Sequence, residues 1–196
     1  CRGVGATGGD GGAARVSEAW ARLRDLLRSR AIVRDEVVLV SGQRSSYYID
    51  ARQVTLSPEG AFLAGRLLYE RLLPRSVDAV GGPAAAAIPL ATAVSLVSHL
   101  EGRGIPAFFT RKEAKTHGLQ RRVEGPLQAG WRVAIVEDTV TTGGSVLESI
   151  EAVEAAGCAV AHVVALVDRG QGCRERLEAA GYSFEALFSV EELLRS

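Results

Sequence analysis
The chain has 196 residues, 47% of them hydrophobic and 23% charged, with 23 basic side chains balanced by 23 acidic ones. This predicts one globular domain with a sizeable core, and zero net charge leaves no global field to attract nucleic acid or an anionic membrane. Three cysteines, Cys1, Cys158 and Cys173, show neither CxxC spacing nor a companion histidine pattern. That argues against a disulfide framework or structural zinc and suits a reducing, cytoplasmic setting.

The glycine-rich start lacks a basic segment and an apolar core, so no secretory signal is read there. Residues 1–14 are taken as a flexible tail and residues 15–196 as a single domain. Over residues 17–30, Trp20, Leu23, Leu26 and Leu27 recur at helical spacing between arginines, predicting an amphipathic helix. Residues 37–40 read as a short strand. Residues 41–50 (SGQRSSYYID) read as a hairpin, with small polar residues flanking β-favouring tyrosines. Ser57 then caps a helix reaching about Leu73, with Pro58 at the first helical position, where its missing N–H costs nothing.

Strand and helix alternate from there. Residues 77–80 form an apolar strand ending in Gly81-Gly82-Pro83, followed by a helix to about Leu100. Pro89, His99 and several hydroxyl residues interrupt this longest apolar stretch, which falls short of the ~18–20 residues of a membrane span. Residues 105–110 and 131–136 are further strands, the latter ending in Glu137-Asp138. A helix over 145–156 stops at Gly157, a C-cap glycine. Cys158 follows it into an apolar context and reads as a core thiol. A strand over 159–167 ends in Asp168-Arg169. A helix to about Ala180, a strand over 184–188 and a short final helix complete the chain. Near-continuous apolar strands alternating with helices indicate a parallel sheet covered on both faces. The exception is the long polar stretch 111–127, of the kind that usually serves as a lid or binding loop.

The segment with the most chemistry is residues 133–145, VAIVEDTVTTGGS. Ligands of open α/β sheets bind beyond the carboxyl ends of the strands, and two acids stand there, followed by a turn rich in threonine and glycine before a helix. Free N–H groups at the turn and helix start, with the hydroxyls of Thr141, Thr142 and Ser145, would cradle a phosphate. The acids would repel that phosphate unless they face something else, such as ribose hydroxyls or a divalent cation. On these residues alone, a tight strand–helix turn with surface acids is an equal reading. No GK[ST] follows, which excludes a Walker A loop, and no GxGxxG opens a helix after the first strand.

The full pattern of residues 133–145 closely resembles the motif with which type I phosphoribosyltransferases bind phosphoribosyl pyrophosphate (PRPP). The resemblance implies that Glu137 and Asp138 contact the ribose hydroxyls. It also implies that Thr139, Val140, Thr141, Thr142, Gly143, Gly144 and Ser145 hold the 5-phosphate. Residues 111–118 (RKEAKTHG) look like the mobile catalytic loop of orotate phosphoribosyltransferases. Five basic side chains and one acidic one lie between Arg111 and Arg122. A solvated basic surface loop or a nucleic-acid patch is the plainer reading, although no aromatics are interleaved as nucleic acid would favour. By resemblance, Arg111, Lys112, Lys115 and His117 contact pyrophosphate, and part of that set reaches the neighbouring subunit's site, which implies a homodimer. Lys115, His117 and Asp138 are the expected catalytic residues.

Residues 81–89 (GGPAAAAIP) occupy the place of the family's pyrophosphate loop, yet hold no Lys or Tyr among the alanines. A helix start built small for packing is the other reading. Residues 41–50 are similar to the SGxxSxYYxD segment of orotate enzymes, with Arg44 where many relatives have Lys; Arg44 is expected to bind substrate. Tyr47 and Tyr48 either stack near the base or fill the core. Arg169, by resemblance, pairs with the orotate carboxylate, for which a forked guanidinium is well matched; a surface ion pair with Asp168 is the alternative. His99 and His162 read as structural.

The resemblance covers about residues 17–194. It implies the α/β type I phosphoribosyltransferase fold, with a small hood mainly over residues 15–56. The implied reaction converts orotate and PRPP to orotidine 5′-monophosphate and pyrophosphate, a step towards UMP. Mg²⁺ is the implied cofactor, held mainly through PRPP and water rather than by protein ligands. Two alternatives stay open: transfer to another nucleobase, against which Arg169 argues, and a non-catalytic PRPP-sensing regulator, which would have no reason to keep Arg111, Lys112, Lys115 and His117 together.

Overall fold
The computed structural model describes residues 10–33, 37–38, 44–45, 47–112 and 122–195. Helix α1 (Asp10–Leu26) leads into a π-helical segment, Leu27–Ala31. It begins at Asp10 rather than at residue 17 and so includes residues 10–14, read from sequence as tail. Its spacing works as expected: Leu23, Leu26 and Leu27 are buried, and Trp20 lies against Phe188 with ring centroids 4.9 Å apart.

Four two-residue strands follow: β1 (Ile32–Val33), β2 (Val37–Val38), β3 (Arg44–Ser45) and β4 (Tyr48–Ile49). They correct the expectation of one hairpin over residues 41–50. β3 pairs with β2 and β4 pairs with β1, both antiparallel, so each half of that segment closes onto an earlier strand. The β1–β4 register sets Ile32 opposite Ile49 and brings both to the core beside α1, burial that a self-contained turn could not supply. Residues 39–43 and 46, which belong to this expected strand and hairpin, lie outside the described residues.

A one-turn helix, α2 (Arg52–Thr55), had no signal in the periodicity. Helix α3 (Pro58–Leu72) starts where predicted, with Ser57 Oγ accepting from the Gly60 N–H at 3.2 Å. Strand β5 (Ala79–Gly81) and helix α4 (Ala87–Leu100) come next. The strand expected over 105–110 is only partly regular. Its end, β6 (Phe109–Thr110), pairs antiparallel with β7 (Val123–Glu124), while single bridges from Ala107 to Val80 and from Thr110 to Pro83 hold the stretch parallel to β5. Pro106 has no N–H to donate, but its carbonyl joins the pairing by accepting from the Val80 N–H at 3.0 Å.

The rest is α/β: β8 (Arg132–Val140), α5 (Gly144–Ala155), β9 (Ala159–Asp168), α6 (Cys173–Ala179), β10 (Phe184–Ser189) and α7 (Val190–Leu194). The main sheet has the order β10-β9-β8-β5, with all pairs parallel. Side chains alternate along each strand. Ala134, Val136, Val164 and Leu166 meet α1, α3, α4 and α7 on one face, and Val133, Ile135, Val163 and Ala165 meet α5 and α6 on the other. This is the doubly covered sheet that the apolar runs predict.

Gly157 stops α5 with φ +83, as its C-cap position requires. The Cys158 thiol is buried and donates to the Gln128 carbonyl at 3.1 Å. His162 is buried with Nδ1 2.9 Å from Ser183 Oγ, a structural role, whereas His99 is exposed at the end of α4. Among the described residues, no helix is long and apolar enough to cross a membrane.

Candidate active site
The two acids do not follow strand β8; they lie within it. The ladder to β9 continues past them through Thr139 opposite Val167 and Val140 opposite Asp168. The physical reason is that β-branched Thr139 and Val140 prolong the pleat, and the Val140 carbonyl accepts from the Arg169 N–H at 3.0 Å. The turn is therefore shorter than expected, comprising Thr141, Thr142 and Gly143.

Glu137 and Asp138 are consequently buried, at 5% and 9% exposure. Alternation along the strand turns Glu137 towards α5, where the Ser145 hydroxyl meets it, and Asp138 towards the opposite side, where Asp50 and Arg52 act on it. Burial pushes the pKa of Glu137 up to about 8, and the neighbouring Asp138 adds to the rise. Glu137 is therefore mostly protonated at neutral pH in the ligand-free chain. Asp138 is also raised by burial, opposed by the Thr139 N–H and the positive charge of Arg52. The Asp138 N–H donates to Glu137 Oε1 at 3.1 Å.

The turn beyond the acids has the geometry of an anion cradle. Gly143 sits at φ +76, and a Cβ there would stand 2.9 Å from Cys173 Sγ, so a larger residue would be strained and crowded. It is also the N-cap of α5 and provides no side-chain cap, which leaves the first N–H groups of the helix facing outward with the positive end of its dipole. Thr139 Oγ1 is buried and, among the described residues, makes no hydrogen bond, a donor suited to an incoming acceptor.

The small-residue loop comes close to this strand. A Cβ on Gly82 would meet the Val136 carbonyl at 2.1 Å, so only glycine fits. The Ala84–Ala85 peptide is cis. Ala84 donates its N–H to Thr110 O at 2.9 Å, and among the described residues the N–H groups of Ala85 and Ala86 make no hydrogen bond. A cavity of about 230 Å³ joins these parts. Ala84 and Ala86 line one wall, Arg111 and Lys112 another, and Glu137, Asp138, Thr139 and Ser145 the floor. A larger cleft of about 570 Å³ lies over Arg122, Gly125 and the alanines of α5. It lacks convergent acids, hydroxyls and helix N–H groups, so the smaller cavity is the better candidate.

The other expected residues fall as follows. Arg111 ion-pairs with Glu124 at 3.2 Å and lies over the Phe109 ring. Lys115 and His117 lie outside the described residues, as does the side chain of Arg44, whose backbone forms part of β3. Arg169 follows β9 with its guanidinium 5.4 Å from the centre of the Tyr47 ring, and its buried Nε makes no hydrogen bond. Asp168 instead accepts from the Gly170 N–H at 2.9 Å, and among the described residues Arg169 makes no ion pair. Tyr47 is partly buried against the core, while Tyr48 is exposed. Sequence reading missed Arg52 and the buried Thr110–Ser149 hydroxyl pair at 2.5 Å beneath the cavity. The Asp50-x-Arg52 spacing was the available signal for the former.

Among the described residues, no group of three or more His, Cys, Asp or Glu side chains is placed to hold a metal ion. The two acids on the cavity floor supply carboxyl oxygens beside a site that suits a cation brought in with a phosphate ligand, most of whose coordination would come from phosphate oxygens and water.

The raised pKa of Glu137 has a consequence for stability. The folded state binds this proton more tightly than the unfolded chain, so its contribution is full below 4.5, the ordinary glutamate value, and is lost as pH rises through about 8. Glu137→Gln should match the parent's stability in acid and exceed it in alkali. Urea denaturation of the ligand-free protein at both extremes checks this, and parallel pH curves for the two proteins would refute it.

Comparisons with known proteins agree with this geometry. A family model described as the phosphoribosyl transferase domain matches residues 50–186. An orotate phosphoribosyltransferase of Nostoc sp. is 47% identical over 181 residues, covering 92% of this chain and 87% of the relative. The crystal structure of Mycobacterium tuberculosis orotate phosphoribosyltransferase with Fe(III) dicitrate superposes with a TM-score of 0.81 at 40% identity, covering 90% of this chain and 99% of the other. The same mycobacterial enzyme in complex with PRPP gives a TM-score of 0.77 at 37% identity, covering 89% and 98%. A buried acid pair, a hydroxyl- and glycine-lined cradle and this likeness over nine-tenths of its length place the chain in the orotate phosphoribosyltransferase family, within the type I phosphoribosyltransferase fold.

Proposed function
We propose that this chain is a pentosyl-transferring glycosyltransferase that moves the 5-phosphoribosyl group from PRPP to orotate, yielding orotidine 5′-monophosphate and pyrophosphate on the route to UMP. The observation that carries the reading is the single cavity in which two buried acids, an uncapped helix start and the base of a cationic loop converge. The PRPP complex of the mycobacterial relative supports it.

In this reading the 5-phosphate lies in the cradle of residues 139–145, accepting from helix N–H groups and from the hydroxyls of Thr139, Thr141, Thr142 and Ser145. Asp138 and Glu137 accept from the ribose hydroxyls and fix the sugar. The C1–O bond to pyrophosphate breaks with its electron pair leaving on the diphosphate, and positive charge develops on the ring. The orotate nitrogen then forms the C1–N bond and gives up its proton to solvent. Arg111, Lys112, Lys115 and His117 stabilise the departing charge; the free N–H groups of Ala85 and Ala86 face it from the opposite loop. Bound Mg²⁺, coordinated by PRPP oxygens and water, would supply further charge neutralisation at the diphosphate. Arg44 is a further substrate-binding cation. Arg169, lying over the Tyr47 ring and without an ion pair among the described residues, can grip the carboxylate of orotate, which favours orotate over a purine or uracil. We place the work in the cytoplasm, in a homodimer whose 111–118 loops reach the neighbouring sites, with residues 15–196 as one domain and residues 15–56 its hood.

An ultraviolet assay with PRPP and Mg²⁺ tests the reaction. Orotate absorbance should fall and hypoxanthine and uracil should be inert; turnover only with another base would overturn the assignment. Lys115→Ala should lower turnover by orders of magnitude without moving the unfolding midpoint, because transition-state charge loses its counter-ion. A near-normal rate would show that Lys115 does not act on the leaving group.

A further inference from the structure
Near Asp138, though outside the residues that line the cavity, stands a cation that the assignments above leave without a role. Arg52 opens α2, just beyond the YYID segment. Its Nε donates to Asp50 Oδ1 at 2.7 Å, and Gln53 Nε2 donates to Asp50 Oδ2 at 3.2 Å. Asp50 is in turn anchored by its own N–H, which donates to Ala31 O at 2.8 Å. One carboxylate thus grips the guanidinium from behind through Nε, and among the described residues both Nη groups make no hydrogen bond. The side chain is 52% exposed, and a half-exposed ion pair of this kind contributes little to stability. What the pair does achieve is orientation: it presents a forked donor across from Asp138, on which the charge of Arg52 acts.

The opposite wall supplies the second observation. Residues 82–86 approach the site closely, yet apart from the proline ring they offer only alanine methyls and backbone N–H groups. On that side the cations are Arg111, held through Nε by Glu124 at 3.2 Å, and Lys112. A diphosphate lying over Ala84 and Ala86, attached to a ribose on Asp138, would bring several negative charges to a floor that already holds Asp138. The hood cation is placed to offset that repulsion.

We propose that Arg52, held by Asp50, is a substrate-binding residue that contacts the diphosphate end of PRPP from the hood. This rests on the PRPP reading above. Steady-state kinetics of Arg52→Gln, which removes the charge but retains a donor for Asp50, and of Arg52→Lys, which retains the charge, test it. Loss of a charge-assisted hydrogen bond should raise KM for PRPP roughly tenfold or more, leave KM for orotate unchanged and leave the unfolding midpoint in place; Arg52→Lys should recover part of the loss. An unaltered KM for PRPP in Arg52→Gln, or an equal rise for both substrates, would overturn the role of Arg52 while the parent's turnover leaves the PRPP reading intact. A folded parent that neither binds nor consumes PRPP would overturn that reading, and this inference with it.

Discussion
The molecule is organised around two adjacent carboxyl groups carried into its interior by strand β8. Burying even one ionised carboxylate is costly, and two side by side cannot both keep their charge cheaply. The structure meets this constraint by raising Glu137 far enough to hold a proton and by setting the charge of Arg52 opposite Asp138. Neither device serves packing, for which the neighbouring buried residues of the strand are apolar. The acids make sense as acceptors whose partners arrive with a ligand.

The fold serves that arrangement. Parallel pairing of β5, β8 and β9 brings the small-residue loop after β5, the hydroxyl turn after β8 and Arg169 after β9 to one edge. Helix α5 adds its uncapped start, and the β6–β7 pair carries the base of the cationic loop to the same cavity. Charge is thus divided by position: acids at the centre, cations around the rim. In a chain of zero net charge, this local separation provides the field that the protein as a whole lacks.

Much of this was legible in the amino-acid order because it rests on local rules. Ser57-Pro58 marks a helix start, Gly157 a helix stop, and the apolar runs at 133–136 and 163–167 mark doubly buried strands. The pairing of β1 with β4 and β2 with β3 was not legible, because two-residue strands have no periodicity and take their register from the core they cover. The position of the acids inside β8 was missed because Thr139 and Val140 were read with the glycines of the turn rather than with the β-branched strand. Arg52 was missed because a single helical turn leaves no periodicity; the Asp50-x-Arg52 spacing hints at their pairing but not at its place beside Asp138.

The central claim is that the buried acids await a ribose-phosphate ligand. Calorimetric titration with PRPP and Mg²⁺ at neutral pH, in buffers of differing ionisation enthalpy, addresses it most directly. The account predicts saturable association with net proton release, as Glu137 ionises to accept from the sugar, and loss of that release in Glu137→Gln. No association, or association without proton exchange, would contradict it.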